Sequence, residues 1–403
     1  MKRLLVLAFA ATAFSFTHPA IAGEKLKIFI LAGQSNTVGH ARAHTIATLF
    51  QSSDCRDQEL VKMVFKEGSG ASKEAMDAQL AAARKLDELT GGIKQTKLKE
   101  MKAGPEKDKL EAEVNKRKEA HQAYKDRVMQ SCVVSDRVYI NSIADRNKKA
   151  GKLGIGYGAS ADKIGPEYSF GLSIAQKVDG PILLIKTSWG GKSLNYNFRP
   201  PSSGKYVLSE KEKKGKKSPE EILENVSLNY RLMNEAIRNV LGNLKANHPA
   251  YDSKAGYEIA GFVWFQGFND QFSDEFRNNY KDNMIHFIKD IRKEYEVPNM
   301  PFVIGVLGTG RTKEKVDENA VSVAQREAAK HPEFKGNVLS VESYKDYSNY
   351  SHSVFEKGWP AHYHEWDTVG SDRPYHYLGS GGFFVRLGDS FANAMAELIS
   401  KQK

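Results

Sequence analysis

Five short apolar runs punctuate the chain, at Leu26–Leu31, Pro181–Ile185, Ile259–Phe265, Phe302–Leu307 and Val338–Val341. Each is too short for a typical helix and is dominated by Leu, Ile, Val and Phe, as expected of strands buried on both faces. Between them, apolar positions return at helical spacing over Pro219–Leu244, Asp274–Tyr295 and Ala320–Lys330, with a last helix expected near Gly381–Ile399. Strands alternating with helices predict an α/β fold whose parallel sheet is covered on both sides. Ligands of such sheets gather at the carboxyl ends of the strands, where the strand order reverses. No repeat and no shift of composition marks a second domain, so residues 23–403 read as one.

One segment breaks the alternation. From Ser72 to about Arg127 the chain is dense in Ala, Lys, Glu, Asp and Leu. Met76, Leu80, Ala83, Leu86 and Leu89 recur at helical spacing, as do Leu110, Val114, His121, Tyr124 and Val128. Gly91-Gly92 and Gly104-Pro105 punctuate the two runs, the latter with proline at a first helical position. The pattern predicts an antiparallel helical hairpin inserted at about residues 56–131. Its acidic and basic side chains nearly balance, which excludes a nucleic-acid arm. A denser basic run, Lys211–Lys217, precedes Ser218-Pro219-Glu220-Glu221, a helix start with N-cap, proline and capping-box glutamate. It reads as a solvated loop, with contact to an anionic polysaccharide as the alternative.

Composition adds compartment. Among 403 residues, a hydrophobic content of 40% with 20 Phe and 17 Tyr fills a sizeable core and excludes wholesale disorder. Residues 1–22 read as a secretory signal: Lys2-Arg3, the apolar stretch Leu4–Phe16, then Ala20-Ile21-Ala22 as a small-x-small cleavage site. That stretch is too short to span a bilayer, and no later apolar run is long enough. Removing Lys2 and Arg3 lowers the formal charge from +10 to +8. The expectation is a secreted or periplasmic protein with no membrane insertion after cleavage. Cys55 and Cys132 are the two cysteines. Export and an even count predict a disulfide across the base of the hairpin, against two buried free thiols.

The chemistry sits behind the strands. Gly33-Gln34-Ser35-Asn36 follows the first, Thr187-Ser188-Trp189-Gly190-Gly191-Lys192-Ser193 the second, and Trp264-Phe265-Gln266-Gly267-Phe268-Asn269-Asp270 the third. Tyr375-His376-Tyr377-Leu378-Gly379-Ser380 opens the last helix. Taken singly, each has an ordinary structural reading: a helix cap, a turn, a packed histidine, an Asn-Asp cap. Taken together, they supply what acyl transfer needs, a hydroxyl with a positioned base and two or three donors for the oxyanion. Ser35 can be the nucleophile and His376 its base. The backbone amides of Ser35 and Gly191, with the side-chain amide of Asn269, can form the oxyanion hole. Gln34, Trp189 and Gln266 flank these positions as candidate substrate contacts, and Trp189, Phe265 and Phe268 could stack on a sugar.

The four blocks, in this order, resemble the SGNH hydrolases, named for Ser, Gly, Asn and His in successive motifs. More narrowly, LAGQSN, WGGKS and WFQGFND are similar to the sialate O-acetylesterase-like branch, which includes acetyl-xylan esterases of carbohydrate esterase family 6. The resemblance implies a three-layer α/β/α sandwich on a parallel, flavodoxin-like five-stranded sheet. It also implies no cofactor and the removal of acetyl groups from carbohydrate hydroxyls. On that pattern Ser35, Gly191, Asn269 and His376 take the roles already given. Two positions depart from it. Members usually carry an aspartate three residues before the histidine, where this chain has Arg373, so Asp372 is the candidate acid. Asp367, Glu365 or a backbone carbonyl are the alternatives. Thr37 stands where the branch often has methionine.

Other histidines carry no metal reading. His362-Tyr363-His364 lacks a third ligand at a recognisable zinc spacing, and His40 and His44 read as surface or packing residues. The leading expectation is thus an exported serine esterase acting on an acetylated carbohydrate through an acetyl-enzyme. Its rival is a catalytically silent glycan-binding protein on the same scaffold.

Overall fold

The computed structural model describes residues 23–94, 96–145 and 147–402, so the signal reading on residues 1–22 lies outside the described residues. Nine strands follow one another as β1 (Leu26–Gly33), β2 (Ala41–Arg42), β3 (Val138–Ala144), β4 (Lys148–Lys152), β5 (Lys163–Ile164), β6 (Ile182–Ser188), β7 (Tyr257–Phe265), β8 (Phe302–Val306) and β9 (Val338–Glu342). Seven form one sheet in the order β4-β3-β6-β1-β7-β8-β9, and β2 pairs with β5 apart from it. Within the large sheet only the β3–β4 pairing is antiparallel.

The five strands read from the apolar runs are β6, β1, β7, β8 and β9. Their spatial order, second-first-third-fourth-fifth, is the flavodoxin-like doubly wound order. The sheet has seven strands rather than five. β3 was missed because its positions alternate between buried and half-buried, and β4 because it is polar and largely exposed.

Successive side chains of β1 point to opposite faces, and the two sets enter different cores. Phe29 and Leu31 pack with the helices Glu167–Ala175 and Gly381–Ser400, which cover one face. Ile28, Ile30 and Ala32 pack with Leu228–Leu241, Asp274–Glu294 and Ala320–Ala329, which cover the other. This is a three-layer α/β/α arrangement. Truncating a fully buried anchor such as Ile30 to alanine costs about 2–5 kcal/mol.

The chain also forms the expected helical hairpin, from Lys73–Thr90 and Pro105–Ser131, with Leu86, Leu98 and Val114 as a small core of its own. It is docked rather than free. The Asp87 carboxylate accepts the His364 and Glu365 amides at 2.9 Å each, and Arg84 reaches Glu365 at 2.8 Å. No disulfide closes its base: Cys55 and Cys132 are both free thiols. Cys55 opens the helix Cys55–Val64 on its exposed side, while Cys132 faces the core and bridges to Phe65. Burial pushes the Cys132 thiol up to about 12.

Candidate active site

The reversal of strand order lies at β1, whose neighbours β6 and β7 lead to opposite halves of the sheet. The loops behind these three strands converge there. β1 runs directly into α1 (Ser35–Val38), a single turn that carries Ser35 at its first position. Gly33 makes that entry possible, because a Cβ on it would stand 2.2 Å from the Phe265 carbonyl oxygen and 2.3 Å from Thr37 Oγ1. Thr37 donates its hydroxyl to that same carbonyl at 2.6 Å, tying α1 to the end of β7. Ser35 is 9% exposed. Its hydroxyl and its amide donate to no other described residue, as expected of an N–H in the first turn of a helix.

Beneath α1, Lys186 of β6 is completely buried. Its ammonium donates to the Val38 carbonyl at 2.8 Å and the Tyr157 carbonyl at 2.8 Å, and pairs with Glu167 at 2.7 Å. The lysine thus anchors the far end of α1. Burial lowers its pKa, while Glu167 opposes that shift.

The loop behind β6 reaches Ser35 through Gly190, where an added Cβ would stand 3.9 Å from Ser35 Cβ. The Gly190 amide is taken by the Asp145 carboxylate at 2.8 Å, whereas the Gly191 amide has no acceptor among the described residues. Asp145 directly follows β3, so the strand missed in the sequence delivers a residue to the site. Deeper in the same loop, the amides of Leu194 and Asn195 donate to the fully buried Asp270 carboxylate at 3.0 Å. Burial pushes the Asp270 carboxyl up to about 6, against the pull of Gln266 and these amides. Asp270 therefore ties the loop behind β6 to the end of β7, a long-range role in place of the local turn or cap that an Asn-Asp pair suggests.

Gln34 and Gln266 are buried and bonded within the protein. The Gln34 side-chain oxygen accepts the Gln266 side-chain amide and the Gly267 amide, both at 3.2 Å. Its own side-chain amide donates to Asn269 Oδ1 at 3.1 Å, which turns the Asn269 amide group away from the frame and toward the open side. Gln266 also donates to Asp270 at 2.6 Å. Both glutamines hold the frame instead of presenting amides to a substrate. Trp189 is half-buried and packs toward Phe198, with ring centroids 6.1 Å apart.

His376 arrives from the segment before the last helix. Asn36 Nδ2 donates to the Tyr375 carbonyl at 3.1 Å, joining that segment to α1. His376 Nδ1 lies 3.2 Å from Asp372 Oδ2, an ion-pair contact bent away from the line of a straight hydrogen bond. The acid four residues before the histidine reaches it through the tight turn between them, in which the His376 amide donates to the Arg373 carbonyl at 2.9 Å, and the chain then reverses through three left-handed residues. Tyr377, Leu378 and Gly379 have φ of 50°, 64° and 56°. Left-handed φ is costly for Tyr and Leu. Here both side chains are buried, and the Tyr377 hydroxyl accepts the Gly308 amide at 2.9 Å. Gly379 admits no side chain, since its Cβ would stand 2.6 Å from the Asp372 amide.

Burial raises the Asp372 carboxyl, but His376, the Arg373 amide and His40 together outweigh it and hold it below the usual range. The other acids weighed for this role are engaged elsewhere. Asp367 pairs with Arg42, His121 and Lys125, and Glu365 with Arg84 and Lys357. The guanidinium of Arg373 lies over the Trp359 ring, 5.0 Å from its centroid.

His40, which reads from the sequence as a surface or packing residue, stacks its imidazole on that of His376 with centroids 4.1 Å apart. Its Nδ1 lies 3.5 Å from the same Asp372 oxygen. His40, Asp372 and His376 form the one group among the described residues whose ligand atoms lie close enough to share a metal ion, within 4.8 Å. Two parallel imidazoles, however, hold their nitrogen lone pairs in parallel planes and do not aim them at one centre.

The fold is thus a doubly wound α/β/α sandwich that gathers a hydroxyl, an imidazole–carboxylate pair and unpartnered amides at its switch point. The family described as carbohydrate esterase, sialic acid-specific acetylesterase, matches residues 117–347, more than half of the chain. The chain belongs to that family and is a carbohydrate acetylesterase, a carboxylic ester hydrolase. The matched stretch holds the Gly190-Gly191 and Asn269 loops but neither Ser35 nor His376.

No curated protein sequence matches it. Among solved structures it is similar to a protein from Arabidopsis thaliana at 15% identity and TM-score 0.38, covering 79% of this chain and 86% of that one. It is similar to XAC1771, a carbohydrate acetylesterase from Xanthomonas citri, at 11% identity and TM-score 0.36, covering 78% and 49%. NanS is similar at 9% identity and TM-score 0.37, covering 80% and 78%.

Proposed function

We propose that this esterase is an exported serine enzyme that removes O-acetyl groups from carbohydrates through an acetyl-enzyme on Ser35. Ser35 Oγ attacks the acetyl carbonyl carbon while His376 takes its proton. The carbonyl oxygen becomes an oxyanion facing the amides of Ser35 and Gly191 and the side-chain amide of Asn269. Collapse breaks the bond to the sugar oxygen, which leaves with the proton from His376. Water, deprotonated by His376, then attacks the acetyl-serine; acetate departs and Ser35 regains its proton. Asp372 orients the imidazole and stabilises its charged form.

The observation that carries this reading is the convergence at one strand reversal of Ser35, two unpartnered amides and the His376–Asp372 pair at 3.2 Å. Asp372 at 3.2 Å from His376 supports the enzyme over the silent scaffold, whose main ground is Arg373 at the position of the expected acid. The basic and apolar pattern of residues 1–22 supports export.

Acetate release from acetylated xylo-oligosaccharides and O-acetylated sialic acid, with wild type and Ser35→Ala side by side, tests the proposal. Turnover by wild type with a loss of about 10³-fold or more in the variant is expected. A variant of normal fold that keeps most activity would overturn the assignment of Ser35.

A further inference from the structure

The two residues assigned to base and oxyanion donor each have an aromatic neighbour in sequence, Tyr375 before His376 and Phe268 before Asn269. These two rings pack against each other, tilted with centroids 5.9 Å apart, and together line one side of a cavity of about 430 Å³. Its remaining wall comes from the loop behind β8 and the helix after it, including Leu307, Thr309, Lys315 and Asn319. The cavity therefore lies at the carboxyl edge of β7 and β8, directly beside the proposed reaction centre.

Three properties of this cavity are unusual for plain surface. First, its aromatic rim is open to solvent. Tyr375 on its wall is 45% exposed, and Phe272, outside the lining but edge-on to the lining Phe268 at 5.2 Å, is 69% exposed. A cluster of large exposed rings of this kind is a recognition feature more than a packing one. Second, the polar groups around it have unused valences. Lys315 has no acidic partner among the described residues, and the Gln271 side-chain amide and Thr309 hydroxyl donate to none of them. Third, its wall is held to the catalytic loop. The Gly308 amide donates to the Tyr377 hydroxyl, and Arg311 sits in the same loop with φ of 70°, a left-handed conformation that the surrounding bonds must enforce.

We infer that this cavity is the sugar subsite. A pyranose ring lies against Tyr375 and the Phe268–Phe272 pair, and its hydroxyls reach Gln271, Thr309 and Lys315 while its acetyl group points to Ser35. An apolar face with a few convergent polar groups suits a ring that has C–H faces and hydroxyl edges. The inference rests on the acetyl-transfer reading of Ser35 and assigns its alcohol side.

The test compares two substrates in wild type, Phe272→Ala and Tyr375→Ala. One is an acetylated xylo-oligosaccharide or O-acetylated sialic acid, whichever wild type hydrolyses faster. The other is methyl acetate, which has no ring to stack. The glycan-to-methyl acetate ratio of kcat/KM is expected to fall at least tenfold in each variant, chiefly through KM. Equal losses on both substrates, or none on either, would overturn the subsite. Should wild type hydrolyse neither substrate, the esterase reading of Ser35 fails separately. Saturation-transfer NMR with both sugars then decides the subsite: ring-proton signals lost in Phe272→Ala uphold it, and unchanged or absent signals overturn it.

Discussion

The imidazoles of His40 and His376 lie parallel, 4.1 Å apart and 6° from coplanar orientation, and both turn Nδ1 toward one oxygen of Asp372. The carboxylate is thus shared. Burial, followed by the nearby His376, lowers the His40 pKa to about 4, so the ring is neutral at physiological pH. A neutral His40 sets its Nδ1 3.5 Å from the carboxylate, a polar neighbour without a hydrogen bond or a charge.

Replacing His40 with phenylalanine keeps a stacking face and removes the polar neighbour of the carboxylate. The carboxylate then serves His376 alone and holds its proton more strongly. The acid limb of kcat/KM against pH is expected to move upward by about half a unit, the equivalent of ~0.7 kcal/mol. An unmoved limb, measured on methyl acetate, would mean that His40 only packs.

The left-handed turn at Tyr377–Gly379 braces Asp372, whose amide donates to the Leu378 carbonyl at 3.1 Å. Gly379→Ala forces a Cβ into the Asp372 backbone, and is expected to lower kcat about 10²-fold with a modest fall in melting temperature. Asp372→Asn, which leaves the backbone alone, is expected to cost ~10³–10⁴ in kcat, as for other triad acids. Arg373→Ala should leave kcat within about threefold, because that side chain rests on Trp359. If Arg373→Ala cost as much as Asp372→Asn, the acid would be misassigned.

Asp270 holds the loop that carries Gly191 from underneath. Asp270→Ala leaves the Leu194 and Asn195 amides buried without an acceptor, at ~1–3 kcal/mol of stability for an unsatisfied group. Misplacing the Gly191 amide should lower kcat about 10²-fold, the cost of one oxyanion donor. A variant that loses stability but keeps kcat would exclude Gly191 from the oxyanion hole.

Acid should destabilise this protein in a defined window. Burial lowers the pKa values of His44 and His364 to about 4, and that of His40 likewise. His44 is enclosed by Asp367, which favours its charge, and by Lys125 and His121, which oppose it. Below the ordinary histidine value the unfolded chain takes up protons that the folded one refuses, so stability falls as pH drops from about 6.5 toward 4. His44 alone accounts for ~2 kcal/mol between pH 6.5 and 5. Asp270, pushed up to about 6, works in the opposite sense, since the folded state binds its proton first. Urea unfolding at pH 7 and pH 5 is expected to show the lower midpoint at pH 5, with a smaller difference in His44→Asn. An unchanged difference in that variant would assign the acid lability to other groups.

The sequence by itself determined the doubly wound core and the chain positions from which chemistry emerges. Buried strands advertise themselves through local runs such as Ile28–Leu31, and functional loops must follow such strands whatever else the chain does. The hairpin was legible for the same reason, since helical periodicity is a property of neighbours. Tertiary structure alone decided what depends on distant segments meeting. β4 is the polar edge strand and β3 beside it is fully buried at only every second position, so neither shows a continuous apolar run and Asp145 could not be located. Cysteine count and compartment could not reveal that Cys55 faces solvent while Cys132 faces the core. The choice of Asp372 over Asp367 and Glu365 depended on two long-range events. The hairpin draws off the latter two, and burial of Tyr377 and Leu378 compels a left-handed turn that neither residue prefers. Periodicity is written between adjacent residues, whereas the partner of His376 is set by contacts such as that of Asn36 with Tyr375, 339 positions apart.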